Sequence, residues 1–278
     1  MSRKFSLAYL TIPGVDPVEH IRIAKQTGYD AVGLRTIPLY LPGEPEFLVH
    51  RDKQLFDAVK HALAEYDMKV LDIELARIRP DLNIDDYDAA FEAAAALGAT
   101  DVLGSVWTRD RSFYIDQVGK VAEMAARYGL YYNVEFLPWA GVRNLQEAIT
   151  LVDALSCDNL YIMVDTLHAG RAGVTAEEVK RTDPKYFRYV HLCDGPAGPD
   201  GDPVLDNIKD DLMLYTAREA RLYPGEGVMD IAGIVKALPK VDVSIELPNL
   251  QRIAELGREG HAGRCLETAK AYFARHNL

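Results

Sequence analysis

Residues 159–194 read NLYIMVDTLHAGRAGVTAEEVKRTDPKYFRYVHLCD, and their pattern indicates the architecture of the chain. Leu160–Asp165 and Phe187–Asp194 are short runs rich in apolar and aromatic residues, which predicts two strands. Ala176–Arg181, between them, is a short helical window. A strand, a helix and a second strand in that order predict a β/α unit of a parallel sheet.

The same alternation continues in both directions along the chain. The other predicted strands are Phe5–Ile12, Ala31–Ile37, Lys69–Ile78, Thr100–Trp107, Tyr131–Leu137 and Val241–Leu247. Amphipathic helical windows separate them, and one of these, Pro17–Thr27, has Asp16 as its N-cap and Gly28 as its stop. The last predicted helix is Arg258–His276, and a long polar segment, Gly195–Gly227, with one potential helix inside it follows strand 7.

Eight such units favour a closed (β/α)₈ TIM barrel over an open, doubly wound sheet. The 278 residues suit one barrel, and no Pro/Gly/Ser-rich linker divides them, so we expect a single α/β domain over residues 1–278. No GxGxxG follows any predicted strand. The dinucleotide-binding form of the open sheet therefore has no support.

The amino-acid composition indicates which binding partners and which cellular compartment we expect. The net charge of −11, from 31 basic and 42 acidic residues, argues against a nucleic-acid partner, whose phosphates need a basic surface. The three cysteines are scattered without a CxxC, which indicates neither a disulfide framework nor a zinc ribbon. The apolar run near the N-terminus is too short for a signal peptide or a membrane span. We therefore expect a cytoplasmic protein without a membrane partner.

Four consecutive predicted strands end in an acidic or an imidazole side chain. These ends read NVEF at 133–136, MVDTLH at 163–168, VHLCD at 190–194 and SIELP at 244–248. The carboxyl ends of barrel strands meet on one rim, where three converging carboxylates would repel each other unless a cation compensates them. The candidate ligands of one divalent metal ion are Glu135, Asp165, His191 and Glu246. Mn²⁺, Mg²⁺, Co²⁺ and Zn²⁺ all suit such a set.

Each of these residues also has an ordinary interpretation. A single Glu at a strand end is usually solvated or salt-bridged, and a single His there is usually a structural residue. The set is more specific than its members, because it recurs at equivalent positions of four successive units. His168 comes three residues after Asp165, in a predicted loop, and is better placed to contact substrate than to complete the metal shell.

Weaker candidates lie at the ends of strands 2 to 4. Arg35 could bind a substrate oxygen, but an ion pair with a neighbouring carboxylate explains it equally well. Glu74 could support the metal shell or could neutralise Arg35 or Arg77. Trp107 could form a pocket wall against the face of a sugar, or it could cap the barrel core.

The region after strand 7 supplies three further candidates. Asp194 could orient His191 or bind a substrate hydroxyl, or it could only begin the turn at Gly195. The motif REARLYPGEG, residues 218–227, predicts a tight turn over the rim before a helix. Arg218 and Arg221 could then reach an anionic or polyhydroxylated substrate, or they could lie on the outer face of a helix.

At these residues the chain resembles the xylose-isomerase-like superfamily of sugar-phosphate isomerases and epimerases. The members include ketose 3-epimerases, hydroxypyruvate isomerase, inosose dehydratase, 3-dehydroshikimate dehydratase and, more distantly, endonuclease IV. The resemblance covers almost the whole chain, and its motifs are VE at 134–135, VDTLH at 164–168, VHLCD at 190–194, PGEG at 224–227 and IE at 245–246. Together these motifs are specific for the superfamily but not for one reaction within it.

The resemblance implies roles for the same residues. It implies that Glu135, Asp165, His191 and Glu246 bind the metal and that His168 contacts substrate. Ketose 3-epimerases also use an Arg shortly after the strand-7 His, whereas Gly195–Gly198 has none, and Arg218 or Arg221 would have to substitute. Endonuclease relatives need further His ligands, which strands 3 and 4 lack.

The function expected from sequence is a metal-dependent isomerase or epimerase of carbohydrate metabolism. Glu135 and Glu246 would act as base and acid on a small polyhydroxylated keto-sugar or sugar phosphate, with the metal stabilising an enediolate. One alternative is a dehydratase or lyase acting on a keto-sugar, a 3-keto-glycoside or a cyclitol. A second is a non-catalytic metabolite-binding barrel, in which one or more ligands would fail to converge. The last helix could pack a homodimer, although packing on its own barrel explains it as well.

Overall fold

Eight parallel strands pair in chain order, and the first strand pairs with the eighth, so that the sheet closes into a barrel. The computed structural model describes residues 3–40, 44–198 and 210–278. The strands are β1 (Phe5–Leu7), β2 (Ala31–Arg35), β3 (Lys69–Ile78), β4 (Asp101–Val106), β5 (Tyr131–Glu135), β6 (Leu160–Asp165), β7 (Phe187–Leu192) and β8 (Asp242–Ile245). The TIM-barrel prediction is confirmed.

Helices follow the strands and surround the barrel. Those in the described ranges are α1 (Pro17–Thr27), α2 (Lys53–Glu65), α3 (Asp88–Ala96), α4 (Arg111–Arg127), α5 (Leu145–Leu155), α6 (Thr166–Arg171), α7 (Ala176–Arg181), α8 (Asp210–Glu219), α9 (Ile231–Ala237) and α10 (Leu250–His276). Within those ranges no helix combines the length and the apolar character that crossing a bilayer requires.

Helix α1 shows how local sequence sets these boundaries. Asp16 accepts hydrogen bonds from the backbone N–H groups of Val18 and Glu19, which satisfies two donors that have no partner within the helix. Gly28 ends the helix in the left-handed region at φ 90°, where a residue without Cβ is not strained. Both predicted boundaries of this helix are confirmed.

The apolar core has two parts. The larger part lies between the strands and the surrounding helices. The smaller part consists of Leu103, Met163 and Tyr189, which pack together inside the barrel. Met163 and Tyr189 each precede a candidate ligand by two residues, Asp165 and His191 respectively, and side chains two residues apart on a strand share a face. The ligands therefore rest on a packed apolar layer.

Most predicted strand ends differ from the observed ones by one or two residues, and three differences are larger. Strand β1 stops at Leu7 instead of Ile12, because the chain turns into a 3₁₀ helix at Tyr9–Thr11. Helix α10 starts at Leu250 instead of Arg258 and is kinked at Gly257. The predicted loop after β6 is helix α6.

The polar segment Gly195–Gly227 contains helix α8, which matches the one potential helix predicted there. The part of that segment from 199 to 209 lies outside the described residues.

Candidate metal centre and active site

The four predicted ligands meet at the carboxyl ends of four adjacent strands. Glu135 ends β5, Asp165 ends β6, His191 is the penultimate residue of β7, and Glu246 directly follows β8. Each residue offers one ligand atom, and these atoms lie within 4.8 Å of one another. All four residues are buried. The fold thus brings together three carboxylates and one imidazole in a space that could hold one ion.

The hydrogen bonding of this cluster fits a cation. Oε1 of Glu135 and both ring nitrogens of His191 are buried and form no hydrogen bond of good geometry with any residue that the structure describes, although Nδ1 of His191 lies 3.4 Å from Oε2 of Glu246. Buried polar atoms nearly always have a partner, so such a group of unpartnered donors and acceptors calls for one. Oxygen and imidazole nitrogen are the ligands that Zn²⁺ and Mn²⁺ accept, and the residues present therefore fit a divalent ion.

Arg221 compensates part of the negative charge. Its Nη1 lies 2.5 Å from Oδ2 of Asp165, and its Nη2 lies 2.7 Å from Oε2 of Glu246. It also donates to the backbone carbonyl oxygen of Glu246 at 3.0 Å and to Sγ of Cys193 at 3.2 Å. A guanidinium held by two carboxylates is rigid, so Arg221 fixes the positions of both acids.

The three carboxylates differ in their ionisation. Burial alone would raise the pKa of Glu246 and that of Asp165, but Arg221 together with the nearby imidazoles of His191 and His168 outweighs it and holds both pKa values below their ordinary range. The pKa of Glu135 is well above its ordinary value because the side chain is buried and faces the charges of Glu246 and Asp165. Glu135 is the acid of this group that lacks a compensating cation.

His168 lies beside Glu135 at the start of helix α6. This helix begins directly after Asp165, whose Oδ1 accepts from the backbone N–H groups of Leu167 and His168 at 2.7 and 3.0 Å. Nε2 of His168 is 3.6 Å from Oε1 of Glu135, and its ring meets the ring of Trp139 edge-on at 5.1 Å. Burial lowers the pKa of His168 to about 4, so its imidazole is neutral at physiological pH.

A cavity of about 470 Å³ opens above this cluster. Glu135 and Glu246 form part of its wall, whereas Asp165 and His191 lie outside the lining. The predicted substrate-contacting residues in the wall are Arg35, Trp107, His168, Arg218 and Arg221. The volume suits a small metabolite with several polar groups.

Arg35 is paired with acids on two sides. Its Nη1 lies 2.7 Å from Oε1 of Glu44, and its Nη2 lies 2.9 Å from Oε2 of Glu74. Glu74 also accepts from the backbone N–H of Tyr9 at 3.1 Å. Of the two interpretations of Arg35, the structure shows the ion pair, and of those of Glu74 it shows neutralisation of Arg35.

Trp107 directly follows β4, and its ring lies at the cavity wall. Its indole N–H donates to Oγ of Ser105 at 2.9 Å, which fixes the ring plane. Of the two interpretations of Trp107, its position in the lining supports the pocket wall.

Asp194 is outside the cavity lining. Its carboxylate accepts hydrogen bonds from the backbone N–H groups of Gly195, Gly225, Gly227 and Met229 at 2.8 to 3.0 Å. These bonds attach the PGEG turn to the end of β7. The position corrects the expectation that Asp194 binds substrate, because its oxygens are already occupied by the backbone.

Several polar and aromatic residues of the cavity wall are not predicted from sequence as contacts for a ligand, and four of them lie close to the predicted residues. They are Tyr9, Glu44, Arg77 and Trp139. Tyr9 and Trp139 lie just beyond strands β1 and β5, so the rule that rim loops line the site could have found them. Glu44 lies in the long connection between β2 and α2, where no sequence pattern indicated that it returns to Arg35.

A closed eight-stranded barrel with a cavity at the carboxyl ends of its strands has the layout of a TIM-barrel enzyme. The chain belongs to the xylose isomerase-like TIM barrel family, whose model matches residues 21–267. This result confirms the resemblance inferred from the strand-end motifs.

Individual relatives are distant but cover most of the chain. The inosose isomerase of Bacillus velezensis is 22% identical over 249 residues, which are 82% of this chain and 82% of the relative. A crystal structure of the IOLI protein with a binding zinc atom has a TM-score of 0.76 at 20% identity and covers 98% of this chain and 99% of its own. A D-allulose 3-epimerase from Methylomonas sp. in complex with D-allulose has a TM-score of 0.69 at 17% identity, with 98% of each chain covered.

Proposed function

We propose that this protein is a divalent-metal-dependent isomerase or epimerase of a small keto-sugar or a related polyhydroxylated ketone. The observation that carries the proposal is the convergence of four ligand atoms within 4.8 Å, directly beneath a cavity of about 470 Å³. The non-catalytic alternative expected that one or more ligands would point elsewhere. Their convergence therefore favours an enzyme.

The residues that line the cavity suggest different roles for the four candidate ligands. Asp165 and His191 do not line the cavity, so in this proposal they only hold the ion. Glu135 and Glu246 line it and can also reach a bound substrate. When bound, a divalent cation would supply Lewis acidity for the enediolate that forms after proton loss.

Glu135 and Glu246 act as the acid and base of the proposed reaction. One carboxylate removes a proton from the carbon next to the substrate carbonyl, and the other returns a proton. Return to the opposite face of the same carbon gives an epimer, and return to the neighbouring carbon gives an isomer. His168, neutral and 3.6 Å from Glu135, is placed to hydrogen-bond a substrate oxygen.

The names of the relatives support a small polyhydroxylated substrate. One relative is called an inosose isomerase, and one similar structure is a D-allulose 3-epimerase with its sugar. The zinc atom in the IOLI protein structure supports a metal-dependent site. Inososes and ketoses both carry a carbonyl next to a hydroxyl-bearing carbon, which is the arrangement that proton transfer through an enediolate requires.

The test is solvent deuterium incorporation. The protein, loaded in turn with Mn²⁺, Mg²⁺, Co²⁺ or Zn²⁺, is incubated in D₂O with keto-sugars, inososes and 3-keto-glycosides, and carbon-bound deuterium is read by NMR. We expect exchange with at least one substrate and a loss of about 10³-fold or more in Glu135→Gln and in Glu246→Gln. Glu177→Gln, on the exposed face of α7, is the matched control.

Three outcomes of this experiment are informative. Exchange with a rearranged product supports the proposal, and loss of water from the substrate would assign the lyase alternative instead. Full exchange in both Gln variants would remove Glu135 and Glu246 from the chemistry.

A further inference from the structure

Arginines of two kinds line the cavity. Arg35 and Arg221 each pair with two carboxylates, so their charges are compensated by the protein. Arg77 and Arg218 line the same cavity, and neither forms an ion pair with a residue in the described ranges. Arg258, the fifth arginine of the lining, is exposed and donates to the backbone carbonyl oxygen of Pro13. The cavity therefore contains cationic groups for which the described part of the chain supplies no counter-charge.

Arg77 is the more informative of the two because it is buried. It lies near the end of β3 with only 6% of its surface exposed, and its Nη2 donates to the backbone carbonyl oxygen of Leu39 at 2.8 Å. A guanidinium has five N–H donors, so one bond to a neutral carbonyl leaves most of its capacity unused. A buried cation without an anion is unfavourable, which is why buried charges are normally paired.

The groups around Arg77 further disfavour its positive charge. Burial lowers the pKa of Arg77, and the nearby charges of Arg79, Arg35 and Arg218 act in the same direction, while Tyr87 opposes them. Arg218, in the last turn of α8, is half-buried and makes no hydrogen bond or ion pair with any described residue. Two guanidinium groups from different elements thus approach one wall of the cavity.

The carboxylates of the cavity wall do not neutralise the positive charges of Arg77 and Arg218. Glu44 and Glu74 are engaged by Arg35, and Glu246 is engaged by Arg221. Glu135 belongs to the candidate metal centre. Glu219, the remaining acid of the lining, is exposed and forms no ion pair with a described residue. Within the described ranges no carboxylate of the wall therefore pairs with Arg77 or Arg218, and an anion carried by the ligand could.

We propose that Arg77 and Arg218 form a subsite for an oxyanion group, a phosphate or a carboxylate, carried by the substrate at a distance from its reacting carbonyl. The planar fork of a guanidinium matches the paired oxygens of either group. The substrate class is then an acidic sugar or sugar phosphate rather than a neutral ketose. This inference rests on the proposed function for the chemistry at the other end of the cavity.

Binding of simple anions tests the subsite without any catalytic assay. Inorganic phosphate, acetate and uncharged glycerol are titrated by calorimetry into the full-length, metal-loaded protein and into Arg77→Gln, Arg218→Gln and Arg181→Gln. Arg181 is an exposed arginine in the last turn of α7, outside the cavity lining, and is the matched control. We expect one anion to bind, with affinity reduced about tenfold or more in the first two variants and unchanged in the control.

The choice of probe separates the two sources of the anion. Binding of phosphate without acetate would indicate a sugar phosphate, and binding of acetate without phosphate a sugar acid. If neither anion binds more tightly than glycerol, the proposal is overturned.

Glu135→Gln separates this subsite from the metal centre. Anion binding that persists in Glu135→Gln but is lost in the arginine variants supports the subsite even if the proposed catalysis fails. Anion binding that is lost in Glu135→Gln and kept in both arginine variants places the anion at the metal and overturns the proposal. Arg218 is only half-buried, so Arg218→Gln decides the question even if Arg77→Gln does not fold.

Discussion

Nη1 of Arg221 lies 2.5 Å from Oδ2 of Asp165 at the buried base of the cavity. The same guanidinium also holds Glu246, whereas the third carboxylate, Glu135, has no such partner. One guanidinium thus pairs with two of the three converging acids. This partial compensation explains both why the cluster can exist in the folded chain and why it still favours a further positive charge.

Replacing Arg221 by Gln should destabilise the metal-free protein. Removing one partner from a buried ion pair leaves Asp165 and Glu246 without compensation, which costs on the order of 3 kcal/mol of the free energy of unfolding. Urea denaturation of the metal-free protein measures the loss. Added Mn²⁺ or Zn²⁺ should raise the melting temperature of the variant more than that of the unaltered protein, because the ion replaces the missing charge.

Arg127→Gln is the control for this experiment, since its ion pair with Asp88 is on the surface. Equal stability of Arg221→Gln and Arg127→Gln would show that Arg221 does not hold the acids together.

The barrel and its candidate ligands were predictable from sequence for a physical reason. Parallel strands buried on both faces are apolar, so an ionisable residue at the end of such a run stands out, as Asp165 does after LYIMV. The eightfold alternation then places those ends on one rim. Local sequence also fixed α1, through Asp16 and Gly28.

The remaining features depend on contacts between residues distant in sequence. Glu44 and Glu74 both reach Arg35, and Arg221 reaches Asp165 across 56 positions. No periodicity in the sequence specifies these pairings. The sequence pattern predicts a loop at His168, whereas Asp165 caps a helix there, and an Asp directly before a helical turn is a common N-cap.

Asp194→Ala should lower stability more than it alters substrate affinity. The substitution leaves four backbone N–H groups of the PGEG region without their acceptor, and we expect a loss of about 2–4 kcal/mol in the free energy of unfolding. Chemical denaturation provides the measurement. Asp81→Ala, which removes an exposed acid, should show no comparable loss.

An Asp194→Ala protein of unaltered stability that has lost substrate binding would reverse this assignment. Asp194 would then be a residue that binds substrate.

His20 should make stability fall at acidic pH. It is fully buried with Nε2 3.0 Å from the carbonyl oxygen of Leu7, and burial lowers its pKa to about 4. An unfolded His titrates near 6.5, so the unfolded chain binds the proton first, and stability is lost as pH falls from about 6.5 to about 4. The total contribution is on the order of 3 kcal/mol.

Urea unfolding between pH 4 and pH 7 of the unaltered protein and of His20→Gln isolates this contribution. The difference between the two curves should shrink as the pH falls, because the variant lacks the titrating group. His61→Gln, an exposed histidine, serves as the control. Parallel curves across the whole range would contradict the assignment.

The metal content of the purified protein tests the central claim most directly. Elemental analysis after gel filtration should give about one divalent ion per chain for the unaltered protein and for the cavity-wall variant Arg218→Gln. Asp165→Asn and His191→Gln should lose most of it while remaining folded. A protein that takes up no divalent ion after incubation with Mn²⁺, Co²⁺ or Zn²⁺, or that retains a full ion in both ligand variants, would contradict the account.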